Sequence, residues 1–260
     1  MKKAIFFDID GTLWDKQQQI PDSTKEALAL LKEKGHYLFI SSGRTKAFIP
    51  EKKLMQFGFD GILAGCGTYG EFQEEVKYYH KIPLSQIQQD CEFLNKIGAT
   101  YVLEGRHYLY MDEERFPEGD PFPIWMRNTL AERLLPIRGN ENQLEVSKMS
   151  VNYMDNIKQV EEEFSKRYQI IHHREKVMEI VPKGLNKATG IQEICKLLGI
   201  AREDTYAFGD SRNDLEMLEY VAHSVAMGNG TQELKDVAEY VTTDLWDNGI
   251  YNGLKFYGLI

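Results

Sequence analysis

A basic surplus, paired cysteines and long apolar runs are all missing from this 260-residue chain. Lys and Arg number 31 against 40 Asp and Glu, for a formal net charge of −9. That balance excludes broad electrostatic attraction to nucleic acid, which needs a basic surface. It also repels anions weakly, so a site for an anionic substrate must supply its own local positive charge. The three cysteines, Cys66, Cys91 and Cys195, are widely spaced, with no CxxC pair and no Cys/His metal spacing. A disulfide scaffold is thereby excluded, and a reduced, cytoplasmic protein is expected. No apolar run approaches the roughly 20 residues that span a bilayer, so no membrane partner is expected. The N-terminal Met1-Lys2-Lys3-Ala4-Ile5-Phe6-Phe7 is basic and then apolar, but Asp8 and Asp10 cut it short. It reads as a buried strand and not as a signal peptide. The residues that are present, 42% hydrophobic and 27% charged, suit a globular protein of one large or two smaller domains.

Strand and helix patterns alternate in both outer parts of the chain. Ala4–Phe7 reads as a strand buried on both faces. A helix follows over Ser23–Lys34, capped by Asp22 or Ser23 and stopped by Gly35, and then a strand over Tyr37–Ile40. In the C-terminal part, a helix over Lys187–Leu198 places Ile191, Ile194, Cys195 and Leu198 on one face. Strand Thr205–Phe208, helix Asn213–Glu219, strand Ser224–Ala226 and helix Gln232–Val237 come next. Such alternation implies an α/β fold, a Rossmann-like parallel sheet with helices on both faces. The middle differs. Helices Ser85–Ile97 and Asp155–Tyr168 are interspersed with hairpins, Tyr101–Leu103 with Tyr108–Met111 and Ile170–His172 with Val177–Val181. Residues 116–139, rich in Pro and Gly, give no clear pattern. The expected organisation is a core of residues 1–82 and 183–260 with an inserted α+β domain over 83–182.

Four features form one site if they fall at the carboxyl ends of adjacent parallel strands, where open α/β sheets bind ligands. The first is Asp8-Ile9-Asp10-Gly11-Thr12, directly after the first strand. Two acids two residues apart repel unless a cation or proton intervenes, and Mg²⁺ suits carboxylate and phosphate oxygens. Asp8 can attack phosphorus as a nucleophile. Asp10 can protonate the leaving oxygen and then deprotonate water. Gly11 permits a close turn, and Thr12 offers a hydroxyl and an N–H to phosphate. The second is Ser42-Gly43-Arg44, where a hydroxyl and a glycine N–H make a small oxyanion cradle; Arg44 either contacts substrate or supports the protein. The third is Lys187, at a helix N-terminus that disfavours a cation unless an anion is near. It can neutralise Asp8 and phosphoryl oxygens together. The fourth is Gly209-Asp210-Ser211-Arg212-Asn213-Asp214. Asp210 fits a metal ligand, Asn213 can orient a phosphate oxygen, and Asp214 can reach the metal through water or hold Lys187. Read singly, the last three features also fit an ordinary loop, an exposed lysine and a capped turn.

In this order, the four pieces resemble the haloacid dehalogenase superfamily of phosphotransferases, and the insert resembles the α/β cap of its Cof-like branch. The likeness covers essentially the whole chain. It implies Asp8 as nucleophile, Asp10 as general acid/base, and Mg²⁺ held by Asp8, the Asp10 backbone carbonyl and Asp210. It implies phosphate contacts from Ser42, Gly43, Lys187 and Asn213. Three positions depart from the pattern: Gly65-Cys66-Gly67-Thr68 where an Asn-Gly pair is usual, Ala188 after Lys187, and Ser211 after Asp210. None removes a catalytic group. The function expected is a Mg²⁺-dependent phosphatase for a small phosphorylated metabolite, a sugar phosphate or nucleotide-like cofactor, acting as a monomer or homodimer. A phosphosugar mutase, a dehalogenase and a non-catalytic binding protein on the same fold are the alternatives.

Other residues carry weaker signals. Cys66 reads as a small buried residue, and His172-His173 as part of a strand or turn without a third metal ligand. Tyr78-Tyr79-His80 reads as strand packing. Trp125 and Arg127 lie in the Pro-rich segment, where loops often touch ligands. Trp14 either packs beneath the nucleophile loop or contacts the leaving group.

Overall fold

Ala4-Ile5-Phe6-Phe7 has no polar side chain to leave in water, and it forms strand β1 (Ala4–Phe7) with every residue buried. The computed structural model describes residues 2–152, 157–172 and 177–260. After β1 come α1 (Asp22–Glu33), β2 (Tyr37–Ser41), the short α2 (Glu51–Leu54), β3 (Gly61–Ala64), β4 (Tyr69–Phe72) and β5 (Glu75–Tyr79). The middle of the chain gives α3 (Leu84–Lys96), β6 (Thr100–Glu104), β7 (Leu109–Tyr110), α4 (Pro121–Leu130), β8 (Leu134–Leu135), β9 (Lys148–Asn152), α5 (Ile157–Phe164), β10 (Tyr168–His172) and β11 (Val177–Pro182). The last part gives α6 (Lys187–Leu198), β12 (Thr205–Gly209), α7 (Leu215–Tyr220), β13 (His223–Ala226), α8 (Gln232–Val237), β14 (Tyr240–Val241) and α9 (Gly249–Phe256).

The chain divides into two compact units. Met1–Gly43, Pro50–Tyr78 and Leu185–Ile260 make the first; Arg44–Ile49 and Tyr79–Gly184 make the second. Residues 44–49, 79–82 and 183–184, expected in the core from sequence, therefore fall in the second unit.

Among the described residues, the first unit carries a sheet in the order β14-β13-β12-β1-β2-β3-β4-β5. β14 through β3 run parallel, and β4 turns back antiparallel to β3. Successive strand residues point to opposite faces. Phe6 stacks on Phe39 of β2 at 4.9 Å, and Phe7 stacks on Phe208 of β12 at 5.2 Å. Each such pair adds about 0.5–1.5 kcal/mol beyond its burial. The central strand is thus held on both faces, and the residues that follow it have a fixed starting point.

The second unit carries a sheet in the order β10-β11-β9-β6-β7-β8. One face, with Tyr101, Leu103, Met149, Val151, Met178 and Ile180, packs into a core shared with α3 and α5. The other face presents the alternate residues: Val102 beside Ser150, Ser150 beside Glu179, and Glu104 beside Lys148. Among the described residues, no helix is long and apolar enough to cross a membrane.

Local rules account for the differences from the sequence reading. Helix α1 begins at Asp22, with Pro21 at the cap position and no side-chain cap. Asn213 and Asp214, expected to open a helix over Asn213–Glu219, belong to a separate 3₁₀ turn over Arg212–Asp214 before α7. The patternless Pro-rich segment contains α4, whose Pro121 occupies the first turn and whose Asp120 side chain accepts from Phe122 N at 2.9 Å. A proline there needs no N–H and has the right φ already. Asp155 and His173 lie outside the described residues.

Candidate active site

Strand register brings the separated motifs to one edge. Phe7 lies beside Ile40 of β2 and Phe208 of β12, all parallel. The residues just beyond, Asp8, Ser42 and Asp210, therefore leave the same carboxyl edge of the sheet. The Asp8 backbone N–H donates to the Phe208 carbonyl at 3.0 Å, which fixes where the Asp8 side chain begins.

A tight turn follows Asp8. Leu13 and Trp14 N–H groups both donate to the Ile9 carbonyl, and Gly11 N–H donates to Trp14 O at 2.8 Å. Gly11 has φ +89°, and a Cβ there would fall 2.3 Å from Asp210 Oδ2, so side-chain size and backbone angle both require glycine. Trp14 is fully buried, and its indole N–H donates to Asp10 Oδ1 at 2.9 Å. Of its two expected roles, packing under the loop is the one realised, with the addition that it orients Asp10. Asp10 itself is exposed. Thr12 Oγ1 donates to Asp210 Oδ1 at 3.1 Å, so the first and fourth motifs are joined directly.

Lys187 is the first residue of α6, fixed by Asn186, whose side chain accepts from Thr189 N–H while the Thr189 hydroxyl accepts from Asn186 N–H. Its side chain is 1% exposed, and Nζ lies 2.6 Å from Asp8 Oδ1 and 2.5 Å from Asp214 Oδ1. Asp214 Oδ2 accepts the backbone N–H groups of Asp210 and Ser211. Asp214 therefore ties Lys187 to the Asp210 loop.

Ser42 is buried, its N–H donates to Leu63 O, and its carbonyl accepts from Cys66 N–H at 3.1 Å. The β3–β4 turn, Gly65-Cys66-Gly67-Thr68, thus supports the Ser42-Gly43 loop. The Cys66 side chain is buried. The same turn abuts α6: a Cβ on Gly67 would lie 2.1 Å from the Asn186 carbonyl oxygen. Asn213 Oδ1 accepts from Ser211 Oγ at 2.9 Å, within the Asp210 loop. Arg44 belongs to the second unit, where its guanidinium lies 4.9 Å from the Phe48 ring centre. Asn229 went unnoticed in the sequence. Its Nδ2 donates to the Gly11 carbonyl at 2.8 Å and its Oδ1 accepts from Leu245 N–H, which staples the nucleophile turn. The usable signal was its place in the loop after β13, on the same sheet edge.

The charges do not balance within the protein groups described. Asp8, Asp210 and Asp214 bring carboxylate oxygens within 4.8 Å of one another, with Lys187 between two of them. Burial pushes the Asp8 carboxyl well up, the neighbouring carboxylates add to this, and Lys187 opposes it. Burial, then Asp214, raises Asp210 to about 7. Burial alone would lower the Lys187 ammonium, but Asp214 and Asp8 hold it above its ordinary value. A hard divalent cation on carboxylate oxygens would relieve this excess. Asp8 and Asp210 are the better placed to hold it, because Asp214 already engages Lys187 and two backbone N–H groups.

Residues 5–254 match the haloacid dehalogenase-like hydrolases. The chain belongs to that family. It is 31% identical over 275 residues to YkrA of Bacillus subtilis (strain 168), provisionally named a phosphatase, with 99% of this chain and 98% of YkrA covered. It is 29% identical to YitU of the same organism, a 5-amino-6-(5-phospho-D-ribitylamino)uracil phosphatase, over 97% of this chain and 96% of YitU. Among solved structures, the subclass IIB sugar phosphatase BT4131 superposes with a TM-score of 0.83 at 30% identity, each chain fully covered. The chain is therefore an enzyme of the phosphate-monoester hydrolase type, on the Cof-like fold that the motif order implied.

Proposed function

We propose that this enzyme hydrolyses small phosphate monoesters by way of a phosphoryl group carried on Asp8, with Mg²⁺ as its cation. The observation that carries this reading is the buried Lys187 ammonium, 2.6 Å from Asp8 and 2.5 Å from Asp214. It neutralises the nucleophile in place, so that one anion can approach another. Asp8 Oδ attacks phosphorus, and the ester oxygen leaves with a proton from Asp10. Asp10, now a carboxylate, takes a proton from water as the water attacks phosphorus and frees Asp8. Trp14 holds Asp10 in one orientation through both steps. Thr12, Ser42, Gly43, Lys187 and Asn213 are the groups assigned to the phosphoryl oxygens. Asp8, the Asp10 carbonyl and Asp210 are assigned to Mg²⁺, which when bound draws charge from the phosphoryl oxygens. Arg44 is left with a supporting role in the second unit. That unit is proposed as the cap that selects the leaving group. The substrate class is a small phosphorylated metabolite, a reading supported by relatives named for sugar phosphates and a phosphoribitylaminouracil. The three thiols are buried and none forms a disulfide, in keeping with a reducing, cytoplasmic setting.

The test is hydrolysis of an aryl phosphate with Mg²⁺, with EDTA, and in Asp8→Asn. The substitution is expected to lower kcat by about 10³-fold or more. Undiminished turnover in Asp8→Asn would sink the mechanism.

A further inference from the structure

Asp10 is exposed, so burial does not hold its carboxyl in place. Trp14 contributes to that. Its indole N–H donates to Asp10 Oδ1 at 2.9 Å, and the ring is wholly buried. Backbone bonds close the turn between the two residues, with Trp14 N–H on the Ile9 carbonyl and Gly11 N–H on the Trp14 carbonyl. A cation lies over the same indole: Lys53 Nζ is 5.3 Å from the ring centre. Lys53 belongs to α2, where its N–H donates to the Pro50 carbonyl and the neighbouring Leu54 is fully buried. Among the described residues, no salt bridge engages the Lys53 ammonium. Asp10, Trp14 and Lys53 all lie in the first unit.

The chemistry of these groups sets what each can do. An indole nitrogen only donates. Asp10 Oδ1 is therefore an acceptor for as long as this bond is kept, and a proton carried by Asp10 sits on Oδ2. A cation within about 6 Å of an indole face is attracted to it, most strongly where water is excluded. The same positive field polarises the ring and makes its N–H a stronger donor to a carboxyl oxygen. Lys53 thus pins the indole and strengthens its bond to Asp10 from the far side.

We propose that Trp14 and Lys53 are positioning residues for proton transfer to the leaving group, a role that rests on the hydrolase reading above. As the bond from Asp8 Oδ to phosphorus forms and the ester P–O bond breaks, the proton on Asp10 Oδ2 passes to the departing oxygen. The negative charge left on Asp10 is shared with Oδ1, where the Trp14 N–H meets it. An alkoxide needs that proton in order to leave, whereas a nitrophenolate leaves without it. The pair therefore governs which esters are hydrolysed fast.

The experiment compares kcat/KM for glycerol phosphate and para-nitrophenyl phosphate in the wild type, Trp14→Phe, Lys53→Met, Lys53→Arg and Asp10→Asn. This parameter covers the steps through loss of the leaving group. Trp14→Phe keeps an aromatic ring without the N–H, and is expected to lose about tenfold more on glycerol phosphate than on the aryl ester. Lys53→Met is expected to shift the ratio the same way by about threefold, and Lys53→Arg to restore it. In the Trp14→Phe background Lys53→Met is expected to shift the ratio no further, because it acts through the N–H. Lys53 is half-buried, so its variants decide the matter if Trp14→Phe fails to fold. Equal losses on both esters in Trp14→Phe, or an unmoved ratio in Lys53→Met, with Asp10→Asn still discriminating, would overturn the proposal and leave the hydrolase reading intact. An Asp10→Asn protein that does not discriminate between the esters would overturn Asp10 as the acid, and the proposal with it.

Discussion

Asp8 occupies surroundings that would keep a solitary carboxyl protonated. It is buried, with Asp10, Asp210 and Asp214 nearby, and only the Lys187 ammonium pulls the other way. Removing that ammonium leaves buried carboxylates uncompensated, so Lys187→Met should cost about 3–5 kcal/mol of stability. Thermal melts of the metal-free protein check this, and an unchanged Tm would contradict it. The raised Asp210 gives a pH dependence whose sign follows from linkage. Its folded value, about 7, exceeds the ordinary 3.8, so the folded state binds the proton more tightly. Stability from this group is present in full below the ordinary value and is lost as pH rises through the folded one, at up to about 1.4 kcal/mol per pH unit. Metal-free Asp210→Asn should therefore lose less stability than wild type between about pH 5 and about pH 8. The acids themselves were visible in sequence because their motifs are contiguous. Trp14 stayed between two roles because its bond to Asp10, four residues away, depends on how the turn folds, and Asn229 was not singled out because its contact spans 218 residues.

At the scale of the element, α6 carries the charge to the site and the β3–β4 turn limits where α6 can lie. A Cβ on Gly67 would meet the Asn186 carbonyl at 2.1 Å, and one on Gly190 would meet Gly67 Cα at 2.9 Å. The Tyr78 hydroxyl adds a hydrogen bond to the Gly190 carbonyl at 3.1 Å. Gly67→Ala, with φ +83° as a further strain, should push back the helix end that presents Lys187. The expected result is a kcat about tenfold lower with KM much less affected, since a displaced Lys187 acts mainly on the transition state. Equal falls in kcat for Gly67→Ala and for the exposed Gly98→Ala, whose Cβ meets nothing within 4 Å, would contradict it. Helix α6 was legible to the residue from its apolar period, and in the structure the Asn186 cap and Gly199 fix the same two ends. Helix α4 was hidden because its prolines read as breakers until Asp120 is seen to cap them. The sheet strand β9 escaped for a different reason. Lys148, Ser150 and Asn152 face away from the helices and alternate with Met149 and Val151 as in a half-buried strand, but five residues make too short a run to stand out.

For the molecule as a whole, alternation of strand and helix was enough to specify a parallel core and a differently built insert. It could not show that residues 44–49 pack with the insert, because that short stretch has no period of its own. The net charge of −9 sets the global electrostatic problem, which the site meets locally with Lys187 and, in the proposed mechanism, with a bound cation. Mg²⁺ should therefore stabilise the folded protein as well as support turnover. At about 100 times its Kd it adds about 2.7 kcal/mol, read as a rise in Tm that EDTA reverses. A Tm indifferent to Mg²⁺ in wild type, with turnover surviving EDTA, would remove the metal from the account. In the proposed mechanism phosphorus is attacked twice, first by Asp8 and then by water. The stereochemical course at a chiral phosphate ester tests it most directly. Two in-line displacements predict net retention of configuration at phosphorus; net inversion would mean that water attacks the ester itself and that Asp8 never carries the phosphoryl group.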